Sequence, residues 1–196
     1  MAATARSCRI PAPVAHRLGK DDGMTSLHEP VMELVRASLD PAAGKAAVRQ
    51  DHPACQVVIR VVETDMEAGG LDNVNTLAVG AGVAAAGLTS WLAQERNRDP
   101  EQVLRELSKA APAGGKLLTN VVDMLTTLLS GPPGMQQTAE FMVALFHEDE
   151  EAFYDLIVDL GAYVAVCIGM LESYGISSKE KTLRDLDDML EAFHAG

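Results

Sequence analysis

The sequence predicts an all-α protein of about eight helices packed as a bundle, with two long central helices that come from an internal duplication related by a pseudo-twofold. Three observations predict it. Apolar residues recur three and four positions apart through almost the whole chain, which is the spacing of one helix face. Proline and glycine pairs separate these stretches, and nothing between them alternates like a sheet. Sliding the chain against itself by 79 residues aligns 72–107 with 151–186 without a gap.

Residues 1–23 place Arg6, Arg9, Arg17 and Lys20 among Pro11, Pro13, Asp21 and Asp22, with no apolar run. They read as a disordered basic arm without a secretory segment, and Met24 is an alternative start. The rest, 24–196, reads as a single helical domain. Its duplicated halves lie at about 54–110 and 135–194, joined by a helix over 116–130.

Thr25 and Ser26 precede Leu27, Val31, Leu34, Val35 and Leu39, so a first helix capped near 25 should run to Asp40-Pro41. A loop over 40–53 follows. Cys55, Val58, Ile59, Val62 and Met66 mark a second helix closed by Gly69-Gly70, although Val57-Val58-Ile59 also suits a strand. Residues 71–97 form the first long helix, uncharged from Leu77 to Ala93, with Arg96 and Arg98 at its C-terminal end where the dipole favours cations. Asp99 and Pro100 then supply an N-cap and a first-turn proline for a helix over 100–110. Residues 116–130 are amphipathic, and Gly131-Pro132-Pro133-Gly134 stops them. Helices over 135–147, 149–174 and 178–194 complete the chain.

The repeat pairs Leu77 with Leu156, Val79 with Val158, Gly82 with Gly161, Leu92 with Leu171, and Leu104-Arg105 with Leu183-Arg184. Small residues Ala78, Gly82, Ala86 and Ser90 recur every fourth position, a pattern that lets helices approach closely. Helix 149–174 is apolar on both sides beyond Leu160, through Ala162, Val166 and Met170, and so is expected to be buried all round. Gly80, Gly82 and Gly87 inside one helix cost about 1 kcal/mol each against alanine, which close packing must offset.

Composition sets the outer limits. The chain has 196 residues, 47% apolar and 22% charged, with 16 Lys+Arg against 28 Asp+Glu and a formal charge of −12. That excludes collagen, a disulfide scaffold and a wholly disordered chain. A net acidic surface also argues against nucleic acid, and residues 1–53 offer no basic recognition helix. Cys8, Cys55 and Cys167 are odd in number and lack C-x-x-C spacing, which points to reduced thiols in a cytoplasm. No membrane span is expected, because the uncharged 77–93 stretch is largely Ala and Gly and Asp159 interrupts its repeat partner.

Few residues point to chemistry. Gly80-Ala81-Gly82-Val83-Ala84-Ala85 matches a dinucleotide loop in letters, but no second strand follows to hold a ribose, so helix packing is the expectation. His147 and Glu151, four apart in a dense acidic run, are the weak metal candidates. One face supplies no converging set, so no metal site is assigned. Cys167 lies in an apolar run where a thiol is inert. No catalytic residue and no cofactor is assigned. The expected role is a non-enzymatic interaction or dimerisation module with a protein partner or a second copy of itself. The alternative is a small-molecule sensor whose apolar pocket between the halves is lined by Val83, Trp91, Tyr163, Val166 and Met170.

Overall fold

The computed structural model describes residues 27–41, 49–110, 116–131 and 134–195. Among them are eight α-helices, a short 3-10 turn at Arg49–Asp51 and no strand. The expected basic arm and the expected Thr25-Ser26 cap lie outside the described residues.

Helix α1 spans Glu29–Ser38, α2 Pro53–Ala68, α3 Asp72–Glu95, α4 Pro100–Ala110, α5 Lys116–Leu129, α6 Gly134–Glu148, α7 Glu150–Ser173 and α8 Lys179–Ala195. The first helix starts later than its apolar stripe implies. Pro30 occupies its first turn and His28 its N-cap, with no side-chain cap. A proline there is preorganised for a first turn but has no N–H to bond the carbonyl four residues back, so the helix does not extend further toward the N-terminus, and Leu27 falls outside and is exposed. The Val57-Val58-Ile59 run is helical and buried within α2.

Helices α3 and α7 pack against each other more extensively than any other pair, and the rest surround them. Leu77, Leu88 and Leu92 of α3 join Leu156, Leu160, Val164, Ile168 and Leu171 of α7 in one buried core. The mid-helix glycines show how close the neighbours come. A Cβ at Gly80 would strike Val31 of α1, one at Gly82 the methyl of Met124 in α5, and one at Gly87 the sulfur of Met189 in α8. The G-x-G letters are therefore docking points for α1 and α5 within an unbroken α3, and Gly87 serves α8 in the same way.

The two aligned segments share an element pattern. Each has a 24-residue helix, a tight turn containing one left-handed residue (Asn97 or Gly175), and an amphipathic helix. Asp99 Oδ1 accepts from Glu101 N at 2.9 Å at the start of α4, and Ser178 Oγ accepts from Lys181 N at 3.3 Å at the start of α8. Arg96 and Arg98 meet α4 as well as the dipole, since Glu106 pairs with both, at 3.0 Å and 2.5 Å.

Two expectations are overturned. The far side of α7 is not buried, because Ala162, Val166 and Gly169 face outward. Cys55 is buried and disulfide-bonded, whereas Cys167 is a buried free thiol, so the expected set of reduced thiols does not hold.

Candidate functional site

Three places on this frame carry features that packing alone does not require. The first is the exposed side of α7. No charged residue occurs from Leu160 to Leu171. Within that run Ala162, Val166 and Gly169 are exposed and Ala165 and Met170 half-buried, and they share one face by their three- and four-residue spacing. Val166 is 53% exposed, and a Cβ added at Gly169 would meet nothing within 4 Å. Tyr174 continues the face one turn on, with the Arg96 guanidinium 5.4 Å above its ring.

The second is an apolar pocket of about 80 Å3 between α3, α5 and α6. Val79 and Val83 line it from α3, and Met124 and Leu128 from α5. Met135, Thr138, Ala139 and Met142 line it from α6, and Thr138 is the polar side chain among these residues. Its Oγ1 is buried and has no hydrogen-bond partner. Leaving such a hydroxyl unmatched costs about 1–3 kcal/mol.

The third is a histidine pair where the ends of α1 and α8 meet. The rings of His28 and His194 stack with centroids 6.5 Å apart, and His28 Nε2 lies 3.2 Å from Asp187 Oδ1. His194 Nε2 is buried without a hydrogen-bond partner. Burial, and secondarily the charge of His28, hold His194 below the usual imidazole range.

The predicted site residues scatter over these features. Val83 lines the α3/α5/α6 pocket, whereas Val166 lies on the exposed α7 face and Met170 is half-buried beside it. Trp91 is half-buried, donates to Glu95 Oε1 at 3.3 Å and lies under Lys181 Nζ. Tyr163 is buried between the central helices, its hydroxyl 2.8 Å from Thr89 Oγ1. Burial, then the nearby Cys167, raises its phenol well above the usual range, and burial pushes the Cys167 thiol up to about 12. A nucleophile needs the opposite shift.

His147 and Glu151 part company. The chain breaks helix between them, where Asp149 caps α7 by accepting from Ala152 N at 3.0 Å, so the two exposed side chains sit on different helices. Among the described residues no group of three or more His, Cys, Asp or Glu is placed to hold a metal ion. Glu150 instead accepts from the Tyr154 hydroxyl at 2.6 Å; burial first, and this bond second, raise that phenol above the usual range.

Sequence reasoning missed Asp65 and Thr138. Asp65 lies in the last turn of α2 yet is buried, accepting from Val74 N at 2.8 Å, Asn73 N at 3.1 Å and Asn73 Nδ2 at 2.7 Å. It caps α3 from the preceding helix, a long-range role with no local signal. Thr138 did leave one, as the polar member of the stripe Met135, Thr138, Ala139, Met142.

Comparison of the chain with protein-family models, with curated proteins and with solved structures found no match.

Proposed function

We propose that the protein is a non-enzymatic helical interaction module that pairs with a second copy of itself through the outer side of α7. The exposed, uncharged face of Ala162, Val166 and Gly169 carries this reading. Leaving apolar surface in water is unfavourable by roughly 25 cal/mol per Å2, and small residues at three- and four-residue spacing allow a second helix to approach closely. In a chain of net charge −12, a face free of charge is where two copies meet with least repulsion. A twofold contact of this kind brings Val166 against its own counterpart region.

The reading includes two like halves of common origin, with neither nucleic acid nor a membrane span among its partners. Both α3 and α7 are long and apolar enough to cross a membrane, yet 61% and 56% of their most apolar windows are buried inside the fold. That share favours core helices. The acidic balance supports the exclusion of nucleic acid.

Light scattering on the full chain tests the reading. The expected mass is twice that of the monomer, and Val166→Glu should return it to the monomer value with helical content unchanged. A monomeric wild type at high concentration, or a dimer indifferent to Val166→Glu, would overturn it.

A further inference from the structure

We propose that the pocket between α3, α5 and α6 binds a small, neutral aliphatic molecule carrying one oxygen, which hydrogen-bonds to Thr138. Three buried threonines lie in the described helices, and their hydroxyls behave differently. Thr89 donates to Ala85 O at 2.7 Å and Thr182 to Ser178 O at 3.0 Å, the usual refuge one turn back. Thr138 has neither this bond nor any other, and it lines the pocket. A hydroxyl both donates and accepts, so it suits a ketone, an alcohol or an aldehyde alike.

The walls define the rest of the ligand. Water is a poor occupant, because a buried water needs two to four polar partners and the side chains here supply one. A carboxylate or an amine is disfavoured, since no charged side chain lines the pocket to offset its desolvation. A cavity of about 80 Å3 is roughly half the 150 Å3 that takes benzene, which suits a molecule of about three to five heavy atoms. Met124, Met135 and Met142 give it walls that adapt, with Met135 at the exposed rim. This site stands apart from the α7 face and does not depend on self-association.

Butan-2-one titrated into the full chain labelled with 13C at its methionine methyls is the test, with butyrate as the charged control. The ketone is expected to shift Met124, Met135 and Met142 saturably while Met32 and Met189 stay put, and butyrate to shift none of them. Thr138→Val, which keeps the shape and removes the orphaned hydroxyl, should fold and bind the ketone about tenfold more weakly. Val83→Phe should fill the pocket and abolish the shifts. The proposal is overturned if the ketone leaves the three pocket methyls unmoved, if it moves Met32 as much as Met124, or if Thr138→Val binds it as tightly as wild type.

Discussion

The Tyr163 hydroxyl lies 2.8 Å from Thr89 Oγ1, and this buried hydrogen bond links α7 to α3 where the two central helices are otherwise apolar. Thr89 already gives its own proton to Ala85 O, so Tyr163 is the donor of the pair. Tyr163→Phe therefore leaves Thr89 satisfied and should cost about 1 kcal/mol in a urea titration. Thr89→Val leaves the phenol facing only the Cys167 sulfur, a weak acceptor, and should cost about 1–3 kcal/mol. The reverse order would mean that Thr89, not Tyr163, donates.

Asp65 holds the other end of α3. Its carboxylate, 1% exposed, satisfies two backbone N–H groups of the first turn that have no partner within the helix. Asp65→Ala leaves the buried Val74 N–H unmatched, while the exposed Asn73 can turn to water, and should destabilise by about 1–3 kcal/mol. Asp72→Ala, an exposed acid in the same turn, should change stability by less than about 0.5 kcal/mol. Equal losses from the two would show that general charge at the dipole matters and the cap does not.

These two residues mark where the sequence ceases to be readable. Helix spans followed from periodicity and from breakers such as Asp99-Pro100, because those signals are local: α4 begins at Pro100 and α8 within a residue of expectation. The pairing of α3 with α7 was legible because both are too apolar to face water on every side. Which side stays open was not legible, since the neighbours of Val166 are fixed by the packing angles of six other helices. Asp65 lies eight to nine positions from its partners, across a Gly-Gly turn whose geometry no spacing rule supplies. The predicted pocket failed to converge for the same reason: Val83 and Tyr163 lie on the two central helices, but Val83 turns toward α5 and α6.

Acid should loosen the contact between α1 and α8. His194 has a lowered folded-state pKa, so between that value and the ordinary value of 6.5 the unfolded chain binds more protons than the folded one. Stability is therefore fully present above about 6.5, falls as the pH drops through the window, and levels off below the folded-state value. His28 faces His194 from α1 and Asp187 lies against His28, so the loss is concentrated at this junction. Melting temperature measured from pH 8 to pH 5 should decline in wild type and be flatter in His194→Asn. Parallel profiles for the two proteins would assign the decline to other groups.

Gly161 and Gly169 lie two turns apart on α7 and predict opposite responses to alanine. In an open helix position, alanine is favoured over glycine by about 1 kcal/mol. Gly169 is such a position, since its added Cβ meets nothing within 4 Å, and Gly169→Ala should stabilise the dilute, monomeric protein by about 0.5–1 kcal/mol. Gly161 is not: its Cβ would come within 2.7 Å of Ser38 Oγ and 2.9 Å of Leu34 Cγ, a branch point that cannot swing aside like a chain end. Ser38 is further held by its bond to Leu34 O at 2.9 Å. Overpacking of about 1–3 kcal/mol then exceeds the propensity gain, so Gly161→Ala should lower the urea midpoint. A stabilising Gly161→Ala would mean that α1 sits farther from α7 than described. If Gly169→Ala weakens the dimer while stabilising the monomer, the open face is where the second copy docks.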